Sequence, residues 1–371
     1  MTTTDAIATR LDFSDPPRRD GSNGGVGRAR IRTRLASSVL ISAAVGSLVL
    51  ALPPLRAVAR QIAHMRAGWV AVAVALELAS CLGFVVIFRL FFDRLAAGAA
   101  RELAWAEEGS GALLPGGGLG AMAIGGWLLH RAGMSARSII DRSSALFFLT
   151  SAVNVAALTV AGAWLAARGA AEPYLALRAG VPILGGLAAV AVVLAIPVLV
   201  ARSPQRRWPS WLVDLSAGIV RARRSLRRPS WRLLGALGYL GFDIAALGAT
   251  FAATGHPLPA ASLVLGYLIG YLANLVPVPG GFGVLEGGLA GALIAYGAPA
   301  TQAAAAVVVY HAIAFWIPSL GGLAGYALLR RRLTEPSPAA NPRRRPPRWR
   351  ALVPDPATAC CSAGGGVARC R

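Results

Sequence analysis

The sequence predicts an all-α membrane protein, a polytopic helix bundle with two re-entrant elements broken by proline and glycine. Three observations carry this. Of 371 residues, 56% are hydrophobic and 14% charged, where a soluble domain carries about 25% charged residues. Mean hydropathy is +0.58. Apolar stretches of about 20 residues, the length a helix needs to cross a bilayer, recur along the chain, and two more are interrupted by Pro-Gly clusters. This composition excludes a soluble globular enzyme, a disordered chain and a secreted disulfide scaffold.

Charge divides the chain. All 37 basic residues are Arg, against 16 acids, for a net charge of +21. Most of the excess lies in 1–37, 202–232 and 330–371. Basic loops of a membrane protein stay on the cytoplasmic side, which accounts for the charge without nucleic acid. Residues 1–35 read as a disordered basic cytoplasmic N-terminus. Residues 36–330 form the integral membrane domain. Residues 331–371 form a disordered cytoplasmic tail rich in Arg, Pro and Gly, suited to anionic headgroups. The Arg18-Arg19 pair lacks the short apolar region of a twin-arginine signal, so the first apolar run reads as an uncleaved anchor.

Threaded through a bilayer, segment 36–55 crosses outward and 68–92 returns. Residues 93–111 read as a partly amphipathic cytoplasmic surface helix. Segment 112–130, broken at Pro115 to Gly120, is re-entrant from the cytoplasmic side. Segments 143–167 and 181–201 cross as a pair, and 233–254 crosses outward. Then 259–276 descends and 279–296 comes back, broken at Pro277, Pro279, Gly280, Gly281 and Gly283. Segment 303–329 returns to the tail. Arg56, Arg60 and Arg66 fall on the outer side and do not fit this threading.

The two breaks resemble each other. Leu114-Pro-Gly-Gly-Gly-Leu-Gly120 and Val278-Pro-Gly-Gly-Phe-Gly283 each precede an apolar helix. Paired interruptions in two halves are the pattern of an inverted-repeat transporter with its site between them; glycine-rich loops also match by chance. Pro and Gly free backbone groups that protein, water or substrate must satisfy. A helix starting inside the membrane presents a positive end suited to phosphate. This makes Pro115, Gly116, Gly117, Gly120, Pro277, Pro279, Gly280, Gly281 and Gly283 candidates for binding a headgroup phosphate. The alternative is a kinked structural helix.

Ionisable residues within the spans are few. Glu77, Asp243 and Glu286 are the acids, and an acid there usually faces a cavity or a partner. Glu286 either complements the N-terminus of its helix or holds a cationic headgroup or a proton. Asp243 is central in its span, while Glu77 carries no recognisable motif. His311, beside Tyr310, is placed to pair with Glu286 or Asp243. Asn274 either caps the freed backbone or contacts substrate. Arg131, Asp141 and Arg142 form either a topology-setting loop with a local ion pair or a headgroup access site.

No metal, cofactor or catalysis is expected. Cys81, Cys360, Cys361 and Cys370 form no CxxC pair. Walker A, HExxH and Rossmann patterns do not occur, and the Pro115–Gly120 loop lacks the Lys-Ser/Thr of a phosphate loop.

Asn274-Leu-Val-Pro-Val-Pro-Gly-Gly-Phe-Gly-Val-Leu-Glu286, Gly297 and Tyr310-His-Ala-Ile-Ala-Phe-Trp-Ile-Pro318 together resemble the signature of the lysylphosphatidylglycerol synthase transmembrane-region family. The first break, through Arg131, Asp141 and Arg142, resembles that family's first-half motif more loosely. The resemblance covers roughly 36–330. His311 stands where the family usually has Arg, and the first loop is unusually rich in Gly. The resemblance implies a flippase or scramblase for a phospholipid or glycolipid, in the bacterial cytoplasmic (inner) membrane with both termini inside. It also implies a membrane lipid as partner, with an anionic headgroup. The family's aminoacyl-transfer domain is not seen in this sequence, so lysyl transfer is not expected. An accessory or catalytic subunit of a lipid-modifying system is the alternative. A separate modifying enzyme and a homo-oligomer are both compatible with the sequence.

Overall fold

The computed structural model describes residues 53–114, 118–131, 134–168, 175–202, 207–227, 230–276, 278, 281 and 283–334. The chain divides after Ala57. Of the first unit only Pro53–Ala57, the start of helix α1, is described; all the other described residues belong to the second.

All regular structure among the described residues is helical. The helices are α1 (Pro53–Ala63), α2 (Ala67–Phe91), α3 (Ala97–Leu113), α4 (Gly118–Arg131), α5 (Ala136–Arg168), α6 (Leu175–Arg202) and α7 (Ser210–Arg227). A single turn, Trp231–Leu233, leads into α8 (Leu234–Ala253). Then come α9 (Ala260–Gly270), a 3-10 turn Tyr271–Leu275, α10 (Val284–Ala295) and α11 (Ala300–Thr334). Five are long and apolar enough to cross a membrane: α2, α5, α6, α8 with its preceding turn, and α11. They correspond to five of the expected spans. The sixth, 36–55, falls outside the described residues except at its end, where Pro53 already opens α1. The expected disordered N-terminus also lies outside them, as does the expected disordered tail from 335 onward; 331–334 instead continue α11.

One expectation is overturned. Residues 93–111 do not form a surface helix. Helix α3 is built into the bundle, packed along α11, and its Glu102 and Glu107 are only 4% and 5% exposed. A methyl added at Gly109 would stand 2.6 Å from the Pro318 carbonyl oxygen and 2.7 Å from Gly322 Cα. Small residues let membrane helices approach this closely. Arg101, Glu102, Glu107 and Glu108 lower the hydropathy of the segment, which is why it reads as surface.

Helix α3 therefore belongs with α4 in a helical hairpin. Segment 112–130 does not stand alone; it supplies the turn and the second arm. Helices α9 and α10 form a second hairpin. Its arms run antiparallel and nearly in backbone contact: a methyl at Gly270 would meet Leu289 Cα at 2.6 Å, and one at Gly288 would meet Ala273 Cβ at 2.4 Å. The two expected breaks fall between the arms in sequence, and most of their residues lie outside the described ones.

The order span, hairpin, long helix thus occurs twice: α2, α3/α4, α5 and then α8, α9/α10, α11. Equivalent helices α2 and α8 cross antiparallel, so the repeat is inverted. A methyl at Gly83 would stand 2.6 Å from the Tyr239 backbone nitrogen, and one at Gly235 would stand 2.6 Å from the Gly83 carbonyl. Contacts between the halves are reciprocal. Helix α3 packs on α11, and α9 packs on α5. Two apolar cores result, one mostly from the first half around Phe88, Leu103 and Leu129 and one mostly from the second around Leu247, Tyr267 and Leu289.

Two arginines repeat this reciprocity. Arg66, just before α2, donates from Nη2 to the Ala252 carbonyl at 2.6 Å and from its backbone N–H to the Ala253 carbonyl at 3.1 Å. Arg232, just before α8, donates from Nη1 to the Arg89 carbonyl at 3.0 Å. Each caps the C-terminus of the other's helix, where carbonyls lack intrahelical partners and the dipole favours a cation. The charge of Arg66 that does not fit the loop rule is therefore a helix cap.

The basic segment after α6 folds into α7. It buries Ser216, Gly218, Ile219 and Ala222, packs on α5 and exposes Arg223, Arg224 and Arg227, the pattern of a helix lying in a membrane interface.

The tight crossing makes a direct prediction. Gly83→Val should destabilise the protein by about 1–3 kcal/mol through overpacking, lowering the thermal unfolding midpoint in detergent. Gly241→Ala, where an added methyl meets nothing within 4 Å, should leave the midpoint unchanged or raise it. Equal midpoints for the two variants would contradict the close α2–α8 approach.

Candidate functional site

The α2–α8 crossing brings one acid from each half together. Glu77 and Asp243 lie about two helical turns from the Gly83–Gly235 contact, and their carboxyls face each other. Both line a cavity of about 330 Å³ between the two halves. Helix α3 adds Glu107 and Glu108; α8 adds Tyr239, α5 adds Asn154, and the turn after α9 adds Tyr271 and Asn274. Tyr310 closes it from α11. Four carboxyls thus line the space, with no Arg, Lys or His among the described residues of its wall.

Asp243 is well provided with donors. Tyr310 Oη donates to its Oδ1 at 2.6 Å, and Tyr267 Oη donates to its Oδ2. The two tyrosine rings meet edge to face, with centroids 6.3 Å apart. Ser80 Oγ donates to the Tyr239 carbonyl at 2.7 Å, tying α2 to α8 beside the acids. Tyr239 and Glu108 border the same space. Glu77 differs: it is 5% exposed, and its Oε2 has no hydrogen-bond partner.

A second space of about 50 Å³ adjoins the first, sharing Tyr271, Asn274 and Tyr310 with it. It reaches both hairpin ends, at Gly111 and Leu114 on one side and Gly281 and Leu285 on the other, and is bordered by His311. Here Glu286 is committed at both oxygens. Oε2 accepts from the Gly283 N–H at 2.6 Å, and Oε1 lies 2.7 Å from His311 Nδ1. Gly283 adopts φ +83° and Gly281 φ +68°, left-handed conformations that glycine takes without strain. They turn the chain into α10 so that its first turn faces α11.

The expected site residues therefore separate. Asp243, Asn274 and Tyr310 line the main cavity, and Gly281 and His311 line the smaller one. Glu286 complements its helix N-terminus, one of its two expected roles, and pairs with His311, for which it was one of two expected partners. Asn274 Oδ1 lies beside Gly281, consistent with a role at the turn. Gly120 lies within α4, next to the cavity-lining Ala121 and Met122. Asp141 and Arg142 belong to neither cavity wall. Arg142 is bonded to the Phe91 carbonyl and to Asp93 at 3.1 Å, and Asp141 pairs with Arg221 of α7. They fasten α5 to its neighbours. Arg131 ends α4, with its side chain outside the described residues. Pro115, Gly116, Gly117, Pro277, Pro279 and Gly280 also lie outside them.

Sequence reasoning missed Glu107 and Glu108, because α3 was read as surface. It left Glu77 without a role because no motif surrounds it. Both signals sit in the repeat. Matching Arg66 to Arg232 sets Glu77 opposite Asp243 at the same spacing. Matching Pro115 to Pro279 makes α3 the counterpart of α9 and its 3-10 turn, an inner arm rather than a loop helix.

Apolar helices of spanning length, folded around a buried polar site, define a multi-pass integral membrane protein. Residues 37–322 match the profile of the lysylphosphatidylglycerol synthase TM region, and the chain belongs to that family. The family assigns it a membrane function connected with lipids. No curated protein matches the chain.

The Glu286–His311 contact is testable by a double-mutant cycle. Glu286→Ala and His311→Ala should each lower thermal stability. Their effects should be non-additive, with a coupling of about 1–3 kcal/mol for a hydrogen bond to a charged group. Strict additivity would show that the pair does not hold α10 to α11.

Proposed function

We propose that the protein moves a phospholipid or glycolipid between the leaflets of the bacterial cytoplasmic membrane, with both termini in the cytoplasm. The observation that carries this reading is the acidic cavity of about 330 Å³ between two inverted halves. Its volume suits a headgroup rather than a whole lipid, since small-molecule sites run from about 300 to 1,000 Å³. The acyl chains would remain in the bilayer while the headgroup passes through protein.

The hairpins enter the membrane from opposite faces in this reading. Their arms are shorter than a full span, and the halves that carry them are inverted. Each would close the cavity from its own side. Alternate access then results from rocking one half against the other, as inverted repeats permit.

The four carboxyls favour a headgroup that carries an ammonium. A phosphate at α10 meets competition, because Glu286 already occupies the Gly283 N–H. A zwitterionic lipid or an amine-bearing derivative suits the lining better than a purely anionic one.

The test is leaflet exchange in proteoliposomes, read by dithionite quenching of acyl-labelled phosphatidylethanolamine and phosphatidylglycerol. Wild type should exchange the ethanolamine lipid faster. Asp243→Asn should slow exchange about tenfold or more, the equivalent of one charge-assisted interaction of about 1.5–3 kcal/mol. Folded wild-type protein that exchanges neither lipid would overturn the reading. An altered lipid composition in a deletion strain would then point to a lipid-modifying system instead.

A further inference from the structure

We propose that Glu77 and Asp243 form a proton-carrying pair that couples a transmembrane proton gradient to movement of the lipid, an inference that rests on the lipid-translocation reading. The site is a juxtaposition of two carboxyls, one from each inverted half, in a common cavity.

The first support is the unequal provision of the two acids. Both oxygens of Asp243 accept from tyrosine hydroxyls. Glu77 is 5% exposed, lines the cavity, and leaves Oε2 without a partner. A buried oxygen left bare costs about 1–3 kcal/mol, a cost removed when a proton or cation occupies it. Carboxyls inside membrane spans that face a cavity commonly serve in proton relays.

The second support is what surrounds Glu77. Helix α8 presents Asp243 and Tyr239, and α3 presents Glu107 and Glu108. The α9 arm with its turn presents Tyr267 and Tyr271, and α11 presents Tyr310. Helix α5 contributes uncharged Ser143, Thr150, Ser151 and Asn154, and α4 contributes no titratable group. No fixed cation among the described lining residues neutralises the acids, so the positive charge must come from a mobile species.

The third support is the symmetry. Glu77 and Asp243 occupy matching positions on antiparallel helices. In the transfer step, the Glu77 carboxyl O–H bond breaks and its proton binds an Asp243 oxygen. The negative charge passes to Glu77 and one of the tyrosine donors lets go. The proton leaves Asp243 for cavity water, and Glu77 takes up the next. One proton crosses the pseudo-two-fold per transfer, and no oxidant, reductant or other reactant is required.

The experiment uses full-length protein in liposomes loaded with pyranine. Voltage is clamped at zero with valinomycin and equal potassium, and leaflet exchange of acyl-labelled phosphatidylethanolamine is followed in parallel. Wild type should show proton flux that depends on the labelled lipid. A gradient of one pH unit should shift the steady leaflet ratio up to about tenfold for one proton per lipid. Glu77→Gln should abolish the flux and the gradient response, and Glu77→Asp, which keeps an ionisable group, should restore part of both. Lipid exchange indifferent to the pH gradient, or driven by a sodium gradient instead, would overturn the proton proposal and leave translocation standing. Proton flux without lipid exchange would support the carboxyl pair and sink the lipid reading. Neither activity from folded protein would overturn both.

Discussion

The antiparallel contact of α2 and α8 at Gly83 and Gly235 is the constraint on which the other features turn. With no side chain at either position, two backbones approach to a distance that any β-carbon would prevent. In lipid, where hydrophobic exclusion gives helices no reason to associate, such packing is a principal source of cohesion. The contact fixes the register of the pair, and register decides what faces what. Arg66 and Arg232 reach the opposite helix ends only because both helices run past each other in that register. Glu77 and Asp243 meet for the same reason. An acid inside a span costs about 2.5–3.5 kcal/mol on insertion scales. Two of them side by side are retained because the surrounding helices hold them there, with Tyr267 and Tyr310 offsetting part of the cost at Asp243.

The symmetry is broken at the side chains that define the site. Aligning Pro115 with Pro279 places Glu107 at the position of Tyr271, and Met122 and Phe147 at those of Glu286 and His311. The first half lines the cavity with carboxyls where the second half supplies a phenol. At the hairpin ends the asymmetry reverses. The second half has a polar link between Glu286 and His311, and its counterpart residues in the first half are apolar and line the main cavity. The two hairpin ends therefore differ in what holds them, a polar link in one half and apolar contact in the other. In the proposed translocation cycle this difference would favour one access state over the other.

Much of the architecture was legible because membrane helices obey two rules, length and charge placement. The full-length spans from 68–92 onward come from the first rule, and the places of both breaks from Pro and Gly set between apolar runs. What escaped them shares one physical cause. Hydropathy averages over a window and so misplaces a helix whose polar residues turn inward. Glu102, Glu107 and Glu108 made α3 read as surface, although close packing of Gly109 against α11 buries that helix. Likewise Arg66 counted as a loop charge, when its function is to cap carbonyls of a distant helix. The carboxyl cluster needed tertiary structure, since its members come from three helices and Asp243 lies more than a hundred residues beyond the others. Its traces in sequence were the matched spacing of Arg66 to Glu77 and Arg232 to Asp243 and the matched Pro115 and Pro279.

The same spacing bears on what the cavity can accept. Helix N-termini at Pro-Gly breaks suggest phosphate, because free backbone N–H groups attract anions. At α10, however, the protein's own carboxylate takes that role through Glu286, and His311 holds it in place. The main cavity concentrates acids instead. When ionised, those acids would attract cations and repel bare phosphate. A zwitterion satisfies both conditions when its ammonium lies among the carboxyls and its phosphate stays toward the uncharged wall of Asn154, Thr150 and Ser151 on α5. Such a ligand neutralises the site as it enters. It would therefore compete with protons for the same carboxylates, and under the proposed function that competition would link lipid movement to proton movement.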